Sequence, residues 1–156
     1  MADKTTVLNR LTKNRKKLKK WLAQAQIEAW RLYDRDIPEY PYIVDIYKDS
    51  AIIYEKGKRL SDSEENRNKI KEHQEDIIWA VRELLNIPEN RIWLKKRERK
   101  KGKDQYETEK TGAFIDTINE NDCLYKVNLT SYLDSGLFLD HRPLRSRIKS
   151  ECEGKS

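Results

Sequence analysis

The stretch "YIVDIYKDSAIIYEKG" at residues 42–57 is the strongest constraint on the fold. It places two runs rich in Ile, Val and Tyr on either side of Asp49 and Ser50, and Gly57 closes the second run. β-branched and aromatic side chains fit a pleated strand and lose rotamer freedom in a helix. Two such runs joined by a short polar break predict a β-hairpin.

The segments around it alternate in character. Leu8, Leu11, Leu18, Leu22 and Ala25 recur at helical spacing with Trp21 beside them, which predicts an amphipathic helix from about Thr6 to Ala29. Lys13, Lys16, Lys17, Lys19 and Lys20 occupy the rest of its circumference. "RLYDRDIPEYP" at 31–41 reads as a structured loop, because Pro38 and Pro41 bar helix continuation and bias the preceding residue towards an extended state. Tyr33, Tyr40 and Tyr42 are available to anchor it.

After the hairpin, Ser61 and Glu64 stand at capping-box spacing. Ile70, Gln74, Ile77, Ile78, Val81, Leu84 and Leu85 then mark one face of a second helix that Pro88 closes, with His73 at the edge of that face. "RIWLKKRER" begins as a strand, and the loop around Gly102 has no apolar face. "AFIDTI" and "CLYKVNL" form a second hairpin candidate joined through Asn119–Asp122, and Pro143 opens a segment that can turn helical. Strands in runs with helices between them predict an α+β fold, a mainly antiparallel sheet with packed helices.

Charge is distributed unevenly. The net charge is +6, yet residues 10–20 hold seven Lys or Arg and no acid, and residues 91–103 hold eight against the single Glu98, so the remainder of the chain is net acidic. A polyanion responds to the local positive field and to counterion release rather than to the average charge. Nucleic acid is the natural partner for two such clusters; the bland alternative is a solvated helix face and a basic loop.

Several classes are excluded. No apolar run approaches the ~20 residues that span a bilayer, and "MADKTTVLNRL" lacks a secretory signal, so no membrane partner and a cytoplasmic location are expected. Cys123 and Cys152 are far apart in sequence and fit reduced thiols. Two His and two Cys show no metal-ligand spacing, the five glycines form no phosphate-cradling loop, and no Ser motif resembles a nucleophile elbow. "NLT" at Asn128 matches a glycosylation acceptor only as a string. No complete catalytic or metal site is expected.

The exception is "SGLFLDHRPLRSRI" at 135–148, which sets Leu137, Phe138 and Leu139 beside Asp140, His141 and Arg142. These charged groups either contact a polar ligand or form a salt bridge and cap the helix that Pro143 starts.

Four segments carry a resemblance: "NRLTKNRKKLKKW" at 9–21, "RLYDRDIPEY" at 31–40, "LKKRERKKGKDQY" at 94–106 and "VNLTSYLDSGLFLDHRPLR" at 127–145. Together they resemble the accessory region of the C-terminal, N7-guanine methylating half of the bifunctional bacterial 23S rRNA methyltransferases, whose N-terminal half methylates guanine at N2. The resemblance implies that Phe138, Asp140, His141, Arg142 and Arg145 lie near S-adenosylmethionine in the full-length parent. It departs where the family continues with a strand and glycine-containing loop of the type "NLFAYTG", because this sequence has "SECEGKS" at 150–156. The Rossmann-like cofactor domain is therefore expected to be absent, with no cofactor binding or catalysis by this chain alone.

The resulting expectation is an α+β accessory domain over 1–134, with 135–156 starting the connection to a SAM-binding catalytic domain of the same parent chain. Its role would be to position 23S ribosomal RNA. Arg15, Lys16, Lys19 and Lys20 of the first helix, with Lys95, Lys96, Arg97, Arg99, Lys100, Lys101 and Lys103, would grip phosphates, and Trp93 and Tyr106 would be available for stacking on bases. The alternative is an interaction module that orients the catalytic domain without substantial RNA binding. In isolation the 135–148 strip is expected to be poorly packed or packed against a neighbour.

Overall fold

The computed structural model describes residues 2–56, 63–96 and 112–155. The chain runs α1 (Lys4–Ala25), β1 (Ala29–Asp34), β2 (Tyr42–Tyr47), β3 (Ser50–Glu55), α2 (Glu64–Leu85), β4 (Ile92–Lys96), β5 (Ile115–Glu120), β6 (Cys123–Asn128) and α3 (Arg142–Cys152), with single 3₁₀ turns at Glu89–Arg91 and Leu139–His141. The fold is α+β, as its element pattern predicts.

β1, β2, β3 and β4 form one sheet in that order, and β5 and β6 form a separate two-stranded sheet. Three pairings are antiparallel, whereas β3 and β4 run parallel, joined through α2. The larger sheet is thus mixed, because a strand that follows a crossover helix returns in the direction of the strand before it.

The sheet separates two cores. On one face Val7 and Leu11 of α1 and Ile77, Ala80 and Val81 of α2 pack on Leu32, Val44, Ile46, Ala51 and Ile53. On the other, Ala29, Tyr47 and Ile52 meet Ile118, Val127, Leu129 and Leu137 from the second hairpin and the segment after it. Covered on both faces, all six residues of β2 are buried, which is why "YIVDIY" lacks clean alternation.

Several local expectations change. α1 stops at Ala25 rather than Ala29, since Gln26 turns left-handed at φ 48° and frees Ala29 to enter β1. Arg31–Asp34, expected in a loop, are the body of β1, and the register shift between Arg31 and Tyr33 turns Leu32 and Tyr33 both inward. α2 is capped by Ser63, whose side chain accepts from the Asn66 N–H; Ser61 and Gly57 lie outside the described residues. The first hairpin turns at Lys48 and Asp49, with Ser50 already paired to Tyr47. The second turns at Asn121 and Asp122, both with φ above +50°, as a two-residue turn matched to strand twist requires.

The Pro38–Pro41 loop is closed from within. The buried Tyr33 hydroxyl donates to the Tyr40 carbonyl at 2.9 Å and accepts from the Ile37 N–H at 3.0 Å. His73 stacks on Tyr40 with ring centroids 4.4 Å apart, a boundary histidine as its position on the helix face predicts.

Candidate nucleic acid interface and tail strip

α1 contains no acidic residue, and Lys13, Lys16, Lys17, Lys19 and Lys20 are all exposed. Burial of Val7 and Leu11 against the sheet fixes which side of the helix faces solvent. Lys16 stands three residues after Lys13 and three and four before Lys19 and Lys20, with Lys17 beside it, so the five exposed lysines form one stripe along the helix. Like charges at this spacing repel one another, so the stripe is stabilised by any bound polyanion.

The other predicted basic residues divide. Arg15 donates from Nη1 to the Leu84 carbonyl at 2.8 Å, binding α1 to the C-terminal end of α2. Lys95 donates to the carbonyls of Tyr132 and Leu133, and Lys96 lies 3.8 Å from Glu55. Arg97, Arg99, Lys100, Lys101 and Lys103, with Tyr106, lie outside the described residues. α1 packs on α2 and β1, while β4 forms the opposite edge of the sheet, so among the described residues Lys95 and Lys96 stand on a different element and edge from the lysines of α1. Trp93, read as a stacking side chain, instead packs against Phe114 at 5.0 Å in the second core.

The 135–148 strip, expected to be poorly packed or packed against a neighbour, packs in part on the chain's own second core: Ser135 and Leu137 are buried, while Phe138, Asp140, His141, Leu144 and Ile148 are exposed. Gly136, at φ 86°, permits a turn that side chains with a Cβ resist, and it directs Ser135 and Leu137 inward. Ser135 Oγ lies 2.8 Å from the Tyr47 hydroxyl. Burial pushes the Tyr47 phenol up to about 12, with the Ser135 contact acting in the opposite sense. Beside them a pocket of about 120 Å³ is lined by Arg31, Asp45, Tyr54 and the strip. Arg31 donates to both Asp45 oxygens, at 2.8 and 3.2 Å.

α3 is held by an ionic cluster. Glu120, only 3% exposed, accepts from Arg142 Nε at 2.8 Å and from Arg145 Nε and Nη2 at 2.7 and 3.0 Å. Arg142 also donates to the Ala29 carbonyl and lies over the Trp21 ring, 5.1 Å from its centroid. Lys149 donates to the Asn121 carbonyl at 2.6 Å. The inward face of α3 is therefore Arg142, Arg145 and Lys149, whereas Leu144 and Ile148, 55% and 51% exposed, point outward. This is the reverse of an ordinary surface helix.

Of the five residues that the resemblance assigns to the cofactor, Phe138, Asp140 and His141 are exposed, with the Phe138 and His141 rings 5.4 Å apart. That group fits one wall of a cofactor pocket: an aromatic surface beside a carboxylate able to accept from hydroxyl or amino groups. Arg142 and Arg145 face Glu120 instead. Among the described residues there is no cluster of His, Cys, Asp and Glu able to hold a metal ion, and no helix long and apolar enough to cross a membrane.

No protein-family model matches the chain. Two solved chains share its fold with a TM-score of 0.65 at 20% identity, over 95% of this chain and 36% of theirs; one is described as a methyltransferase complexed with SAH, the other as a SAM-dependent methyltransferase from Streptococcus mutans. Curated relatives named ribosomal RNA large subunit methyltransferase K/L are 48% identical in Colwellia psychrerythraea, 44% in Pseudomonas putida and 41% in Alcanivorax borkumensis. They align with 94–96% of this chain, which spans about a fifth of their length. The four segments that carried the resemblance thus lie within a likeness that extends along nearly the whole sequence, and the chain is homologous to one segment of the ribosomal RNA large subunit methyltransferase K/L proteins.

Proposed function

We propose that this chain is an RNA-binding accessory domain of a cytoplasmic, S-adenosylmethionine-dependent 23S ribosomal RNA guanine methyltransferase. Residues 1–134 position the RNA for base methylation, and residues 135–156 lead towards the cofactor-binding catalytic domain of the same parent chain. The observation that carries this reading is the acid-free, solvent-facing lysine stripe of α1, on a chain 41–48% identical to segments of proteins named as ribosomal RNA methyltransferases. Fixed on a packed helix, the stripe tracks a phosphate backbone without selecting a base sequence.

A gel-shift titration at two salt concentrations tests it. Lys16→Gln/Lys19→Gln/Lys20→Gln is expected to weaken RNA binding and to lower the slope of log affinity against log salt by about 2 to 3, one step per lost phosphate contact. Undiminished binding by that variant removes α1 from the interface.

The inverted α3 supports a second reading, an interaction module that orients the catalytic domain. Leu144 and Ile148 lie on one exposed face, and such a face suits a partner surface. Failure of the chain to bind RNA at either salt concentration favours this reading over the first.

A further inference from the structure

We propose that the groove between the last turns of α1 and the start of α3 takes one unpaired base of single-stranded RNA, with the Trp21 indole as its stacking platform. The inference rests on the RNA-binding reading and gives it a base-contacting residue, since Trp93, the stacking candidate read from sequence, is committed to the second core.

The groove is open to solvent along one side and has a volume of about 610 Å³, within the range of small-molecule sites. Ala25, Ile27, Leu139 and Pro143 give it an apolar lining, and Trp21, 40% exposed, forms part of the wall. The Arg142 guanidinium lies over the indole, and its bonds to Glu120 and the Ala29 carbonyl hold it there. The guanidinium covers part of the indole, and the remainder of Trp21, 40% exposed, is the rigid flat area left to a base.

Charge bears on which part of a nucleotide enters. Arg142 and Arg145 face Glu120, and Asp140 adds an exposed carboxylate to the groove, so two guanidiniums and two carboxylates leave it close to neutral. A near-neutral, mostly apolar groove suits an uncharged base, while the exposed lysines of α1 attract the phosphates, and Asn121, Ser146 and Asp140 in its lining supply donors and acceptors. Lys17 lies one helical turn before Trp21, and Lys20 is its neighbour. The lysine stripe therefore runs up to the mouth of the groove, placing phosphates along α1 and the base at its end. Alternating backbone neutralisation with an aromatic platform is how sequence-tolerant single-strand binding works.

The test compares Trp21→Ala and Trp21→Phe in the full chain, using fluorescein-labelled single-stranded RNA of about eight nucleotides and a duplex of the same sequence, with anisotropy as the readout. Trp21→Ala is expected to weaken single-strand binding on the order of tenfold or more, with duplex affinity and the salt slope unchanged, because a stack and no charge has been lost. Trp21→Phe keeps a ring and stays within about threefold of the parent, while RNA quenches the parent's tryptophan emission and not the emission of this variant. The Phe variant and the quenching decide the matter even if the Ala variant folds poorly. Full single-strand affinity in Trp21→Ala, or equal quenching in Trp21→Phe, overturns the groove assignment. If the Lys16/Lys19/Lys20 variant still weakens binding in that case, the RNA-binding reading stands without it; if the unaltered chain binds neither RNA, both fall.

Discussion

Glu120 and Arg145 are 25 residues apart in the chain, and their side chains meet at 2.7 Å. The same carboxylate accepts from Arg142 at 2.8 Å, so one buried acid at the end of β5 fixes the first turn of α3. Burial raises the Glu120 carboxyl, yet hydrogen bonds from Arg145 and Arg142 outweigh it and leave the group below its ordinary 4.5.

Glu120→Gln is expected to destabilise the chain by about 3 kcal/mol, because two half-buried guanidiniums lose their counter-charge. Since the folded carboxyl lies below its unfolded value, the contribution is complete at neutral pH and is lost as pH falls below about 4.5 through the folded value. Urea unfolding of parent and variant between neutral pH and the acid limit checks both the size and the direction; the difference should shrink towards low pH.

Asp45 behaves oppositely. Burial raises its carboxyl despite the Arg31 bond, while Arg31, which keeps a hydrated side, is stabilised in its charged form by Asp45. A carboxyl raised on folding costs stability above its folded value, and that cost disappears as pH falls. Asp45→Asn is therefore expected to change stability by less than about 1 kcal/mol at neutral pH, since lost pairing and relieved desolvation offset. A loss comparable to that of Glu120→Gln would show that the pair, and not the burial, dominates.

Tyr33→Phe removes the hydroxyl that serves both the Tyr40 carbonyl and the Ile37 N–H. Leaving these buried backbone groups unpaired is expected to cost about 1 to 3 kcal/mol. Faster amide exchange at Ile37, with little change in β5 and β6, locates the loss in the proline loop.

Arg15→Ala separates structure from binding on α1. Its bond to the Leu84 carbonyl predicts a stability loss of about 1 kcal/mol. RNA affinity should fall less than for any one of Lys16, Lys19 and Lys20 replaced by Gln. A larger fall would place Arg15 on the RNA.

Leu144→Ser/Ile148→Ser is expected to alter the stability of the chain by less than about 0.5 kcal/mol, as both side chains point outward. A loss above 1 kcal/mol by thermal melting would mean that α3 packs its apolar face in solution.

What was legible in the sequence followed periodicity. The leucines of α1 and the isoleucines of α2 announce helices, and their buried members form the first core. β1 escaped because "RLYD" does not alternate: the irregularity between Arg31 and Tyr33 buries two neighbours in succession, while Pro38 and Pro41 made the segment look like a loop. The apolar pattern of α1 runs on through Ile27 and Ala29, whereas the break at Gln26 is conformational. In the candidate site, the exposure of the lysine stripe was readable from the helix pattern. The roles of Arg15, Lys95 and Trp93 were not, since each depends on a partner from a distant element. The convergence of Glu120 with Arg142 and Arg145 likewise leaves no local signature.

The double cover over β2 sets the clock of the molecule. Its ladders are paired on both sides, and its six residues are buried, Tyr42, Val44 and Ile46 in the helix-side core and Tyr47 in the hairpin-side core, so its amides are released when those pairings open. Their hydrogen exchange requires opening of the layers around them and so reports global stability, whereas the outer turns of α3 exchange through fraying alone. Comparing the two in a single spectrum gives the stability of the scaffold and the looseness of its tail independently, with and without RNA.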